Sequence, residues 1–441
     1  MNRFRCILFS LMLVAMAHNQ ALSAPPAKAD YFKTGNEKAA KGDSQGAIAD
    51  YTKAIAGDAK NAKAYQNRGA VKLSGGDHRG ALVDFAKAIK LNPAYAEAWY
   101  NSGVARRELK DYNGAIADFT KALNLNPQLV GVYFNRGVAK AGAGDNAGAM
   151  ADYSKAIELQ PSNAEAWYNR GIMKNQAGDK DGAMADVVQA VKAWFSNGVA
   201  KASKGDLKGA LADYDKAIAL SPKFGDAFNN RGNVKKALGD QQGALADYSK
   251  AIELNPSGAV AYSNRGFLKA VLKDKEGSLA DYGKAIELDP KNAQWLFARG
   301  QIHNAFGNSA EAVSDYTKAV KLDPKLSVAY LNRANTLFVQ GKKKEALADY
   351  STVIQLDPKN ADAWYNHGVV LAENKDHAGS ITDFNKAIEL NPGYAKAFFK
   401  RSLAKSALGD EKGSIEDMKQ AAKLGLENAR SVLKSRKISW Q

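Results

Sequence analysis

The chain has 441 residues, 45% of them hydrophobic, with 38 Gly, 11 Pro, a formal charge of +16 and a single cysteine, Cys6. Apolar content of that order buries a core and excludes a disordered chain. Once the segment holding Cys6 is removed, disulfides, Cys-based zinc sites and cysteine nucleophiles are excluded, and five histidines leave little material for metal or acid–base chemistry.

Residues 1–24 read as a signal peptide. Arg3 and Arg5 give a positive start, Ile7 to Ala17 is a mostly apolar run, and His18 to Ala24 is polar and small. The run is far short of the ~20 residues that span a bilayer, so cleavage is favoured over an uncleaved anchor. Ala24 is the best cleavage position, with Ala17 and Ser23 as alternatives. Cys6 lies too far upstream to become the first residue of a mature lipoprotein. The expected location is therefore extracytoplasmic, periplasmic or secreted, and the mature chain keeps a charge of +14 after losing two arginines.

From residue 28 onward one unit is copied about twelve times. Prolines fall at 93, 127, 161, 222, 256, 290, 324, 358 and 392, in steps of 34 residues except between 161 and 222. Each unit carries two helical patterns, for example Ala96 to Leu109 and Gly148 to Leu159. A turn such as Gly144-Asp145 closes the first and the proline closes the second. The turn aspartates, from Asp43, Asp77 and Asp111 to Asp376 and Asp410, are placed to cap the second helix. Units 1–5 occupy 28–190 and units 6–12 occupy 191–428. Ten first helices contain a glycine, among them Gly69, Gly103, Gly137 and Gly266, at a cost of about 1 kcal/mol each relative to alanine. The expected offset is close helix–helix approach, with the second helix's aromatic over the bare backbone.

The fifth unit lacks seven residues, including its proline and turn. Ala183, Val187, Ala190, Trp194, Gly198 and Lys201 then follow the helix period. This admits either one fused helix, roughly Gly182 to Lys204, or a shortened turn. At the end, Glu427 to Arg436 has one apolar stripe (Ala429, Val432, Leu433), which suits a C-terminal cap, with 429–441 as capping helix and tail.

Trp99, Gly103, Ala115, Phe119, Ala122 and Pro127, and again Tyr133, Gly137, Ala149, Tyr153, Ala156 and Pro161, stand in an order that resembles the tetratricopeptide repeat family. The likeness covers about nine-tenths of the chain. It implies an all-α, right-handed superhelical solenoid of about 12 helix–turn–helix repeats, with a concave groove lined by first helices. Two columns depart from the family. The Leu before the glycine is mostly Arg (Arg68, Arg136, Arg170, Arg231, Arg265, Arg299, Arg333), and the Tyr three after it is mostly basic (Lys72, Arg106, Lys140, Lys174, Lys235, Lys269). With the aspartate that every repeat carries in its second helix, Asp50, Asp84 and Asp118 through Asp417, these columns predict charge pairs between the helices.

No HExxH, GxSxG, GxxxxGK or Cys/His cluster is present, so neither a catalytic site, a metal site nor a cofactor is expected. Gly142-Ala143-Gly144 and Asp179-Lys180-Asp181-Gly182 read as turns and caps, and His367 and His377 as surface or packing residues. Binding is the better-supported class. Asn67, Asn101, Asn135, Asn169, Asn230, Asn264, Asn332 and Asn366 recur two residues after the leading aromatic. By the resemblance this column faces the groove, where an amide that donates and accepts can pair with an extended peptide backbone. Phe32, Tyr100, Phe134, Tyr168, Phe195, Phe297, Tyr365 and Phe399 lie beside it as candidate apolar pockets. The competing reading is that the amides satisfy neighbouring backbone and the aromatics pack between repeats.

The family's carboxylate clamp is partly matched by Asn335, Asn366, Lys396 and Lys400, with Leu331 where its first Lys belongs. Repeats 1–3 keep Asn36 and Asn67 but place Glu97 and Asn101 at the basic positions. Nine second helices also carry Lys three residues after the Asp, and Lys342-Lys343-Lys344 and Lys434 to Lys437 add clusters. A solvated helix face with Asp–Lys i,i+3 pairs explains most of this surplus. The sequence thus predicts an exported, non-enzymatic scaffold with protein or peptide partners, no nucleic acid and no membrane span after cleavage. The alternative is a binder of anionic envelope polysaccharide or membrane surface.

Overall fold

The computed structural model describes residues 30–440, and among them the backbone forms 24 α-helices and no strand. Residues 1–24 and Cys6 lie outside the described residues. The helices come in antiparallel pairs: α1 (Tyr31–Ala40) with α2 (Ser44–Gly57), α3 (Ala62–Ser74) with α4 (His78–Leu91), α5 (Ala96–Glu108) with α6 (Tyr112–Leu125), α7 (Val130–Gly142) with α8 (Asn146–Leu159). Then follow α9 (Ala164–Gln176), α10 (Lys180–Ser203) and α11 (Leu207–Leu220). The pairing resumes with α12 (Gly225–Ala237) and α13 (Gln241–Leu254), α14 (Ala259–Val271) and α15 (Lys275–Leu288), α16 (Ala293–Ala305) and α17 (Ser309–Leu322). It ends with α18 (Ser327–Val339) and α19 (Lys343–Leu356), α20 (Ala361–Glu373) and α21 (His377–Leu390), α22 (Ala395–Ala407) and α23 (Glu411–Lys423), and α24 (Glu427–Ser435). The chain divides into two compact units, one ending at Pro222 and one beginning at Lys223.

The turns are built by Asp and Gly acting together. At ten turns the Asp side chain accepts from the N–H of the glycine three residues on, at 2.8–3.0 Å. A β-carbon on Gly148 would lie 2.1 Å from Oδ2 of Asp145, so the pair works only as Asp-x-x-Gly. Where Asn308 and Lys342 replace the aspartate, the side-chain cap is absent.

The core is a column of small-on-large contacts. Phe85, Phe119, Tyr153, Tyr214, Tyr248 and Tyr316 are essentially buried. Each lies over the backbone of a first-helix glycine, where a β-carbon would stand 2.7–2.8 Å from the ring. Alanines of the second helix, such as Ala115 and Ala122, are fully buried beside them.

The shortened fifth repeat resolves as one continuous helix. α10 runs 24 residues without a turn, and Ala183, Ala190, Trp194 and Gly198 form one buried stripe along it. Its first half packs on α9 and its second half on α11, so residue 190, the end of the fifth unit by spacing, falls inside the helix. At the C-terminus Ala429 and Leu433 of α24 close over Met418, Ala421 and Ala422, forming the expected cap.

Candidate functional site

First helices are held in register by a bonded charge column. Arg136 donates to Asp152 through Nε (2.8 Å) and Nη2 (2.7 Å), and the Lys140 ammonium completes the carboxylate at 2.9 Å. The same three-residue set recurs around Asp84, Asp186, Asp247, Asp281 and Asp417. These aspartates are buried, so the bidentate pair fixes geometry more than it adds net stability. The arginine's remaining nitrogen reaches back to the preceding repeat: Arg68 to Thr52 (3.0 Å), Arg136 to Thr120 (3.2 Å), Arg170 to Ser154 (3.0 Å) and Arg333 to Thr317 (3.1 Å). That second role escapes pattern reading, although its trace is present as a hydroxyl 16 residues before the arginine. His367 fills the arginine position of its repeat, its Nδ1 2.6 Å from Asp383 and its Nε2 3.0 Å from Ser351.

With the column in place, the eight ladder asparagines, Asn67, Asn101, Asn135, Asn169, Asn230, Asn264, Asn332 and Asn366, are all half-exposed on first helices. Several bond across to the preceding first helix. Asn67 Nδ2 donates to Asn36 Oδ1 at 2.8 Å, Asn366 to Asn335 at 3.2 Å and Asn264 to Asn229 at 3.0 Å. Asn135 donates to the Tyr100 hydroxyl (3.0 Å) and the Gly131 carbonyl (2.8 Å), and accepts from Arg107. Asn332 caps the Val328 carbonyl at 2.8 Å. The ladder is therefore an inter-repeat brace as well as a polar surface.

Tyrosine hydroxyls orient the partner amides. Tyr51, Tyr248 and Tyr350 donate to Oδ1 of Asn36, Asn233 and Asn335 at 2.8, 2.8 and 2.7 Å. Asn36, Asn229, Asn233 and Asn335 are thus part of the polar face. Of these, Asn229 and Asn233 escape the column pattern, and their signal is an amide 31 or 35 residues before a ladder asparagine.

The candidate pocket aromatics are half-buried and lean on the core. Phe32 meets Tyr51, Tyr100 meets Phe119, Phe134 meets Tyr153, Tyr168 meets Trp194, Phe195 meets Tyr214, Phe297 meets Tyr316 and Tyr365 meets Phe384, with ring centroids 5.7–6.1 Å apart. Phe399 packs against the capping cluster of α24.

Of the clamp-like residues, Asn335 and Asn366 are bonded to each other, while Lys396 is exposed and Lys400 half-exposed on α22, the next first helix. The lysines of second helices do not form the expected Asp–Lys i,i+3 pairs, because those aspartates turn inward to the first helix. Lys155, Lys250, Lys284 and Lys386 instead bind the glutamate three residues on, at 2.5–2.7 Å. Among the described residues no group of three or more His, Cys, Asp or Glu side chains could hold a metal ion, and no helix is long and apolar enough to cross a membrane.

No curated protein sequence matches the chain. Among solved structures, YrrB, described as a TPR protein with an unusual peptide-binding site, is 27% identical, covering 42% of this chain and 95% of its own, with a TM-score of 0.38. A tetratricopeptide repeat protein from Parabacteroides merdae is 22% identical over 56% of this chain and 98% of its own (TM-score 0.41). Yeast Tom70 is 16% identical over 92% of this chain and 95% of its own (TM-score 0.36). Tetratricopeptide repeat family models match residues 62–95, 96–129, 141–176, 198–239, 232–270, 272–327 and 331–395. With helix pairs, glycine–aromatic packing and repeat matches in agreement, the chain belongs to the tetratricopeptide repeat family, whose fold serves as a scaffold for protein–protein interaction.

Proposed function

We propose that this chain is an exported scaffold whose first-helix face binds extended peptide segments of partner proteins. The observation that carries the reading is the orientation of the Asn335–Asn366 pair. Asn335 Oδ1 accepts from both Tyr350 and Asn366, so its two N–H donors and the Asn366 carbonyl have no partner among the described residues. Asn335 is exposed and Asn366 half-exposed, and a free donor and a free acceptor within one bonded pair match one peptide unit. Replacing one ladder asparagine is expected to weaken peptide binding by about 1 kcal/mol, the net worth of a neutral hydrogen bond. Replacing Asn135, Asn169, Asn264 and Asn332 together is expected to cost several times that, with helicity by circular dichroism unchanged.

Lys396 and Lys400 on α22, the first helix after the one that carries Asn366, favour a peptide that ends in a free carboxylate. Replacing both by alanine lowers affinity for such a peptide, and amidating its terminus removes the difference. The competing partner, an anionic polysaccharide or membrane surface, is less supported because many basic residues are already bound to carboxylates. Binding that collapses steeply with salt, or that charge reversal at Lys342 to Lys344 abolishes while the asparagine variants bind normally, would replace the peptide reading with that one.

A further inference from the structure

Large apolar side chains are unevenly distributed over the first helices. In the unit ending at Pro222, those clearly exposed on first-helix segments are Tyr31 at the start of α1 and Val199 in the second half of α10, whose first half, the second helix of its repeat, carries Met184 and Val188. In the unit beginning at Lys223 they form stripes. On α14, Val260, Phe267 and Val271 are 55%, 49% and 52% exposed, and their spacing of seven and four residues puts them on one face. On α18, Val328 (44%) and Val339 (83%) occupy the same repeat positions as Val260 and Val271. Asn264 and Asn332 lie within these stripes.

At the edge of the α14 stripe stands a cation without a counter-charge. The Lys236 ammonium of α12 sits 5.0 Å from the centroid of the exposed Phe267 ring. No carboxylate among the described residues pairs with it, whereas its neighbour Lys235 is bound to Asp247 at 2.9 Å. The side chain is half-buried, and burial holds its pKa below the usual lysine range. A partly dehydrated ammonium over an exposed aromatic ring gains most from an anion that arrives with apolar groups to cover the ring. Asn233 adds to the anion site, since its Oδ1 is fixed by Tyr248 and its N–H donors lie on the same helix three residues before Lys236.

We propose that α12 and α14 form a selectivity site for an extended apolar peptide carrying one acidic side chain, with the carboxylate at Lys236 and the apolar residues over Val260, Phe267 and Val271. The proposal rests on the peptide-binding reading above and names the sequence class of its partner. The polar ladder supplies backbone contacts that are indifferent to sequence, while these side chains select.

The test uses the protein without its signal segment and two labelled peptides, acetylated and amidated, of alternating valine and serine around one central Glu or Gln. The Glu peptide is expected to bind about tenfold more tightly, the worth of one charge-assisted bond. Lys236→Met keeps the stem over the ring and should erase that preference without weakening the Gln peptide. Phe267→Ser should weaken both peptides; because the ring is exposed, circular dichroism and the melting temperature should stay unchanged. Equal binding of the two peptides by the wild-type protein, or an equal loss for both in Lys236→Met, overturns the selectivity site and leaves the ladder reading intact. A free-carboxylate peptide that depends on Lys236 where the Glu side chain does not would reassign the cation to chain ends. Failure of any peptide to bind overturns both readings.

Discussion

Gly137 illustrates how one atom decides the fold at the residue scale. A β-carbon there would stand 2.8 Å from Cε1 of Tyr153 and 3.3 Å from the Ala149 carbonyl, and backbone cannot yield as a flexible side chain would. Gly137→Val is expected to destabilise by about 2–3 kcal/mol through overpacking, measured as a shift in the urea midpoint. A change below about 0.5 kcal/mol, the range of surface substitutions, would falsify the close-packing role. The buried aspartates make a second comparison. Asp186 is buried, which raises its pKa, yet Arg170 and Lys174 together hold it below the usual range. Asp213 is raised, because burial outweighs its single first-helix cation, Lys201. Asp152→Asn, which strands Arg136 and Lys140, is therefore expected to cost about 3 kcal/mol and Asp213→Asn clearly less, read by the same denaturation curves. The sign for Asp213 follows: with its carboxyl raised, protonation favours the folded state, so its local contribution improves as pH falls through that raised value.

The fused helix α10 is the informative case at the scale of elements. Where the proline turn is kept, the leading tryptophan donates to its carbonyl: Trp99 to Pro93, Trp167 to Pro161 and Trp364 to Pro358, each at 2.9 Å. The deletion removes that acceptor for Trp194, whose Nε1 lies 3.4 Å from Glu165 of α9 instead. Glu165 also binds Lys216 of α11 at 2.7 Å, and the ammonium lies 5.2 Å from the Trp194 ring centroid. A staple thus joins α9 to α11 across α10 and substitutes for the lost turn. Burial pushes the Glu165 carboxyl up, but the bond to Lys216 and its charge pull it down further, so it lies below the usual glutamate range. A depressed folded value means the staple is fully present above about pH 4.5 and is lost as pH falls through the lower folded value. Hydrogen exchange in α9–α11 is expected to accelerate over that window in the wild type. Glu165→Gln should lose about 1 kcal/mol near neutral pH and show no such acid step. An unchanged acid step in the variant would remove Glu165 from this role.

The prediction that belongs to the whole molecule is export. The mature chain is expected to begin near Ala24 or Pro25 and to fractionate as soluble, read by N-terminal sequencing of the exported protein. Retention of Met1 in the cytoplasm would sink that reading and readmit nucleic acid as a partner of so basic a chain. Much else at this scale was open to sequence reading for a physical reason: period, helix type, capping aspartates and glycine–aromatic pairs depend on neighbours a fixed number of residues away. The Arg–Asp–Lys column was legible on the same ground, because its partners lie within one repeat. The sequence alone left α10 open, since the helix period fits both a fused helix and a short turn, and only packing against α9 and α11 closes the choice. It also missed the inter-repeat bond of Arg68, Arg136, Arg170 and Arg333 and the pairing of Asn67 with Asn36 or Asn264 with Asn229. Those bonds cross from one repeat to the next, where small shifts decide whether an amide reaches a neighbour or faces solvent. The tertiary structure likewise decided that Lys155, Lys250, Lys284 and Lys386 pair with the glutamate three residues on rather than with the inward aspartates, and that Phe267 and Lys236 meet at an exposed edge.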